Sequence, residues 1–296
     1  NLFADNLFIQ AKDITINKDN ETTIFKNEVK IKTDDNKNIQ SDSAIYDRKN
    51  NFVKLEGNII ATDSKKNIIE TTYAEYNDTT KVFKSIGETN VITSENYKIE
   101  GKNITFDNKN FIIKSEDSAT ITDLENNKIF LNNFEYLSNK NIFKSIGLID
   151  LKDKAGNIYK FSQVYIDTKK KEILGTDIKA LLNDDAFKIH KDNKPRIFAN
   201  TIQIDKKFSK FKKSNFTLCD YREKDKCPPW ELTASEMTHD KKSKTIFYDN
   251  AVIKIYNIPI FYFPKLAHPD PTVDRRSGFL TPAYSDTQNL GSSFNL

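Results

Sequence analysis

Ser43-Ala-Ile-Tyr-Asp-Arg-Lys-Asn-Asn-Phe-Val-Lys-Leu-Glu-Gly-Asn-Ile-Ile-Ala61 decides the fold of this chain. Ala44 and Tyr46 alternate with polar neighbours, a polar run from Asp47 to Asn51 reads as a turn, and Val53, Ile59 and Ala61 follow on a second strand. Alternation of period two with a single apolar face is the pattern of a half-buried β-hairpin. β-Branched and aromatic residues beside frequent Asn and Asp, with no sustained three-four spacing, exclude a helix.

The same pattern recurs at an interval of thirty residues. Tyr46, Tyr76, Phe106, Tyr136 and Ile166 are each followed eleven positions later by Gly57, Gly87, Asp117, Gly147 and Asp177. Seven positions after each marker stand Val53, Phe83, Ile113, Phe143 and Ile173, and fifteen after it Ala61, Val91, Ile121, Leu151 and Leu181. Looser copies (Ile16 with Asn27, Ile204 with Asn215, His239 with Asn250) extend one array from about residue 10 to 255. A fixed interval over this many copies means stacked supersecondary units that share one core.

Such units either coil as a parallel solenoid or zigzag as antiparallel strands into two facing sheets. Two strands per unit joined by tight polar turns favour the second, so the expected fold is an all-β, antiparallel jelly roll open along one side. Its inward stripe carries Tyr46, Val53, Tyr76, Phe83, Phe106, Ile113, Tyr136, Phe143, Ile166 and Ile173. Periodicity reads equally as a dry core or as a continuous apolar conduit. The small residues at offset nine, Ser85, Ser115, Ser145 and Gly175, point to unfilled space between the sheets.

Composition excludes several classes. The 296 residues are 37% hydrophobic, with 46 basic and 42 acidic side chains and a net charge of +4. Charges of both signs are interspersed, so no nucleic-acid footprint is present. Mean hydropathy is −0.64, and no run of about eighteen apolar residues forms a membrane-spanning helix. No Gly-rich phosphate loop, nucleophile elbow or paired-His motif occurs, and no cofactor is implied. A carbohydrate-active β-solenoid enzyme would align its carboxylates across neighbouring units, which the acidic residues here do not do.

Cys219 and Cys227 have no second thiol pair, and His190, His239 and His268 are scattered, so no metal site is expected. Three readings stay open for the two cysteines. They form a short-loop disulfide worth about 2–3 kcal/mol, remain reduced, or pair with cysteines elsewhere in a longer chain. From Ile255 to Pro282 the sequence is rich in proline and aromatics; proline cannot donate to a ladder, so the array is expected to end at 255 and an extended connector to fill 256–282. Residues 283–296 read as the start of something that continues. Asn1-Leu-Phe-Ala4 reads as the end of a signal peptide.

The run Cys227-Pro-Pro-Trp-Glu-Leu232, then His239-Asp240, Tyr248-Asp-Asn-Ala251, Pro259-Ile-Phe-Tyr-Phe-Pro264, His268-Pro-Asp-Pro271 and Arg275-Arg-Ser-Gly-Phe-Leu-Thr-Pro282 resembles the LptD (OstA, organic solvent tolerance) family of outer-membrane lipopolysaccharide-assembly proteins. The repeats from Ala44 resemble, with weaker motifs, the OstA-type jelly roll shared by the periplasmic bridge proteins of that system.

The resemblance implies a periplasmic jelly roll over 1–255, a connector over 256–282, and the first part of a transmembrane β-barrel over 283–296. It implies lipopolysaccharide as cargo, its acyl chains inside the jelly roll, and the cell outer membrane as the location, this portion facing the periplasm. Implied partners are an LptA-like bridge protein and the outer-membrane lipoprotein LptE, which sits in the barrel. The bridge protein would pair with an edge strand within Leu7 to Ile16. Pro259, Pro264 and Pro282 would lie at the barrel junction, and family cysteines near Cys219 tie jelly roll to barrel, while Cys227 offers a local partner. A barrel-less bridge of the same fold is the structural alternative.

Overall fold

The computed structural model describes residues 2–4, 7–34, 36–154, 156–183, 195–217, 230–270, 273, 283–287 and 291–295. Cys219, Cys227 and Pro282 lie outside them. The chain opens with β1 (Leu2–Ala4), β2 (Leu7–Gln10) and β3 (Asp13–Asn17), followed by the long strands β4 (Thr22–Thr33), β5 (Asn38–Asp47), β6 (Phe52–Thr62) and β7 (Ile68–Asn77). The middle is cut into shorter pieces. These are β8 (Val82–Ser85), β9 (Glu88–Ile92), β10 (Lys98–Lys102), β11 (Thr105–Asp107), β12 (Ile112–Ser115), β13 (Ala119–Thr122), β14 (Lys128–Leu131) and β15 (Phe134–Leu137). Long strands resume with β16 (Ile142–Lys152), β17 (Ile158–Asp167), β18 (Glu172–Leu181), β19 (Arg196–Ile204), β20 (Phe208–Thr217), β21 (Trp230–Asp240), β22 (Thr245–Ile255) and β23 (Ile258–Pro269). The hairpin β24 (Ala283–Thr287) with β25 (Gly291–Asn295) forms a separate two-stranded sheet.

Antiparallel pairing links β1 to β23 into one sheet, yet that sheet is folded into two layers. Each long strand runs through layer 1, bends, and continues through layer 2. The register slips where it bends: between Lys26 and Val29 in β4, Glu56 and Ile59 in β6, and Ile146 and Ile149 in β16. Asn27, Gly57 and Gly147 stand at those slips with φ of 62°, 76° and 123°, and Gly87, Asp177 and Asn250 repeat the left-handed value. In most units the residue eleven positions after the marker is therefore the corner of the fold; Asp117 and Asn215 do not take the left-handed value, and Lys213 takes it in β20. Glycine, Asn and Asp occupy most of these corners because they adopt this conformation at less cost than other residues.

Two series of turns complete the unit. Glu21, Asn51, Lys81, Phe111, Asn141 and Lys171 have positive φ at the ends of layer 1, and Asn36, Lys66, Asn96, Asn126 and Gly156 at the ends of layer 2. Both series keep the thirty-residue interval. A unit thus holds two turns as well as the corner, where the sequence reading recognised one hairpin. Ser85, Ser115 and Ser145 do not leave space. Their hydroxyls donate to the carbonyls of Ile104 (3.2 Å), Lys102 (2.7 Å) and Asn133 (2.7 Å) beside the corner, and the Ile104 carbonyl also accepts the Ser85 amide at 2.9 Å. At Gly175 a Cβ would lie 2.3 Å from the ring of Phe161, which fills that place.

The sheet does not end at 255. β23 pairs with β22 as far as Pro269, carrying Pro259 and Pro264 within it, because among the described residues no strand pairs with its other side, and an edge tolerates absent donors. A register irregularity at Ile253/Lys254 accommodates Pro259. The amino-terminal edge also differs from expectation. Leu7 to Ile16 is two strands: β2 lies between β1 and β4 in layer 2, while β3 forms the edge of layer 1.

Gly57→Ala is expected to cost more than Gly87→Ala. Both introduce a side chain at positive φ, worth about 1 kcal/mol, but a Cβ on Gly57 also falls 2.4 Å from Asp42 Oδ2, whereas Gly87 has nothing within 4 Å. Urea midpoints of the two variants measure the difference, and equal midpoints would contradict this account of the corner.

Candidate functional site

Register places all ten stripe residues in one line across layer 1. Tyr46 pairs with Val53, Val53 with Tyr76, Tyr76 with Phe83, Phe83 with Phe106, Phe106 with Ile113, and Ile113 with Tyr136. Tyr136 pairs with Phe143, Phe143 with Ile166, Ile166 with Ile173, and Ile173 with Ile204. At about 4.8 Å per strand the line from Tyr46 to Ile173 runs roughly 43 Å. Nine of the ten are buried and Ile173 is half-buried. Tyr136 and Phe143 stack at 4.2 Å between ring centroids, with Tyr97 and Phe134 tilted against Phe143 at 6.2 and 6.3 Å.

Sequence reasoning missed the facing wall. In layer 2 the line Ile31–Ile39–Ala61–Ile69–Val91–Ile99–Ile121–Ile129–Leu151–Tyr159 pairs in the same manner. Half of its members are the residues at offset fifteen. The others, Ile39, Ile69, Ile99, Ile129 and Tyr159, fall at offset twenty-three, a signal as regular as those used. One wall is rich in aromatics and the other in isoleucine.

Polar groups of the interior point to its rim. Tyr46 donates to Asn51 (3.2 Å), Tyr76 to Asp78 (3.2 Å) and Tyr136 to Glu95 (2.9 Å). Burial, then the bond to Glu95, pushes the Tyr136 hydroxyl well above the usual phenol range, and burial takes Tyr97 up to about 12. In the turns of layer 2, Asp63, Asp123 and Asp153 accept their own turn amides, and Asn67, Asn127 and Asn157 accept an amide from the next turn. These acidic side chains serve structure. Asp63 is held above the usual carboxylate range, burial outweighing the bonds from Asn67.

Opposite the corners, the turns of the two layers face each other along a seam. Lys81 of layer 1 reaches Asp34 of layer 2 at 2.6 Å, and the Lys65 ammonium lies 5.9 Å from the Phe111 ring centroid. Lys37 points inward, its ammonium 4.8 and 5.0 Å from the rings of Tyr76 and Phe106. A cavity of about 430 Å³, lined by Ile16, Thr23, Tyr46 and Arg48 among others, opens where the aromatic line begins. A cavity of about 130 Å³ opens in the seam between Asp123–Asn127 and Lys171, Ile204–Lys206 and Lys241. Among the described residues no cluster of His, Cys, Asp and Glu could hold a metal. At the far end the line passes through Ser209, His239, Ile246 and His268, where Tyr248 meets His268 at 2.9 Å.

These features define a bent two-layer antiparallel β array with a continuous apolar interior. The family model described as lipopolysaccharide-assembly, LptC-related, matches residues 5–115. The LPS-assembly proteins LptD of Yersinia pestis bv. Antiqua (strain Antiqua) and of Yersinia enterocolitica serotype O:8 are each 39% identical to this chain over 67 residues. That stretch is 23% of this chain and 8% of either relative, so the match spans a small part of their length. A solved structure of LptH, the LptA-homologous periplasmic component of the lipopolysaccharide transport device of Pseudomonas aeruginosa, aligns at 10% identity and a TM-score of 0.16. It covers 57% of this chain and 81% of that one.

Phe143→Ala is expected to destabilise the fold by about 3–5 kcal/mol, the usual cost of deleting a buried aromatic. A denaturant midpoint close to wild type would show that the interior closes over the gap and is not packed as a core.

Proposed function

We propose that this chain is a non-enzymatic periplasmic domain of lipopolysaccharide transport, which shields acyl chains between its two layers. The observation that carries this reading is the pair of facing apolar lines, unbroken across ten strands of layer 1 from Tyr46 to Ile173. Near-equivalent stations let a chain move without meeting a deep trap, while each methylene withdrawn from water contributes about 0.8 kcal/mol. The LptC-related match and the stretch shared with LptD support the cargo class.

The finer reading is the conduit domain of an outer-membrane translocon, in which residues beyond 269 lead to a barrel that holds LptE. It rests on the resemblance between 227 and 282, with Pro259, Pro264 and Pro282 near the junction and Cys219 or Cys227 bonded to the barrel. The second reading is a barrel-less bridge domain, which the LptC-related match over 5–115 favours. In either, a like-folded partner would add a strand beside an amino-terminal edge, β3 in layer 1 or β1 in layer 2. Membrane fractionation of the full-length protein separates the two: recovery with outer membranes supports the translocon, and recovery in periplasm the bridge.

Photo-crosslinking in cells tests the shared part. A reactive residue at Phe106, which is buried, should form lipopolysaccharide adducts, and one at Thr105, on the other face, should not. Absence of adducts at Phe106, or normal transport by a Phe106→Asp protein, would leave the interior as a core only.

A further inference from the structure

Each turn of layer 2 faces the layer 1 turn about forty-six residues later, and the seam is fastened at three successive stations. Asp34 meets Lys81, Lys65 lies over Phe111, and Glu95 accepts from Tyr136. Lys37 and Tyr97, which hold the turn position taken elsewhere by Asn67, Asn127 and Asn157, further close the first and third stations from inside. The fourth station is different. Glu125 and Lys171 are the facing residues, yet they are separated by the 130 Å³ cavity, whose floor is Tyr97, Ile129, Ile166, Ile173 and Ile204. Asp123 and Asp205 on its rim are engaged by their own turn amides, and Glu125 leans toward Lys154 at 3.8 Å. Among the described residues no carboxylate comes within ion-pair distance of Lys171 or Lys206, both on this rim.

We infer that the fourth station is a lateral portal: an acyl chain passes between the layers there, over Ile129, Ile166, Ile173 and Ile204, while Lys171 and Lys206 hold the anionic headgroup of the same amphiphile outside. This rests on the interior being a lipid site and adds where, and with which charge, the lipid crosses the seam. The apolar floor, and the two ammoniums that no carboxylate among the described residues engages, match the two ends of such a molecule, and no fastening has to break at this station.

The test uses the full chain with cis-parinaric acid, its methyl ester, and a diazirine-bearing fatty acid. Lys171→Glu with Lys206→Glu should slow uptake of the acid at least fivefold and leave the ester within twofold, whereas Lys18→Glu with Arg48→Glu at the amino-terminal mouth should change neither. At short exposure the diazirine probe should label peptides containing Ile129, Ile173 and Ile204 before those containing Ile16 and Tyr46. Equal slowing of acid and ester, no slowing, or first labelling at Ile16 and Tyr46 would overturn the portal while keeping a lipid-binding interior. No probe bound at all would remove the interior as a lipid site, and the portal with it.

Discussion

Everything in this molecule depends on a strand that changes layer without leaving its ladder. An extended chain continued straight through both halves would give one flat sheet with a wet face. The left-handed residue at Asn27, Gly57, Gly87, Gly147, Asp177 and Asn250 supplies the corner instead, and inward serines donate to backbone carbonyls beside it. Because most corners fall at the same place in their units, the inward residues of successive strands are brought into line. The two long apolar rows are consequences of that alignment.

The two long sides of the array differ in strength. At the corners the layers are joined by the covalent chain, strand after strand. At the seam they are joined by side chains: the Lys81–Asp34 pair, a cation over Phe111, a tyrosine on Glu95. Exposed ion pairs contribute about 0–1 kcal/mol each, and an exposed cation over a ring about 0.5–1 kcal/mol. A fold hinged firmly on one side and lightly fastened on the other parts along the second when a ligand supplies apolar contacts of its own. Under the proposed function, the packed interior and a lipid-filled one would be two states of the same pair of rows.

Much of this was legible from spacing alone, for a physical reason. Period-two alternation reports which face is buried, and a thirty-residue interval reports which residues become neighbours, so Tyr46 to Ile173 could be placed in one stripe without coordinates. Offset twenty-three was equally periodic, but aliphatic residues such as Ile69 and Ile99 do not stand out in a chain this rich in isoleucine. Ser85, Ser115 and Ser145 misled because volume was considered and hydrogen bonding was not; their inward hydroxyls donate to backbone carbonyls beside the corner. Pro259 and Pro264 misled because the rule that bars proline from a ladder applies to a strand with two neighbours, and β23 has one among the described residues. Leu7 to Ile16 looked like one strand because a corner at Ala11 and Lys12 carries neither Gly nor Asn.

The ends of the array bear on what it joins. A stack of units normally closes with caps whose outer faces are polar. Here the first rung of the aromatic line is Ile16, 59% exposed on edge strand β3, and the last strand presents Ile258, Ile260, Phe261 and Tyr262 to solvent. Unpaired strands bearing exposed apolar side chains are a hazard to a protein that stands alone. They are what an array continued by other protein at both ends requires, since the next strand covers the side chains and takes up the backbone groups together.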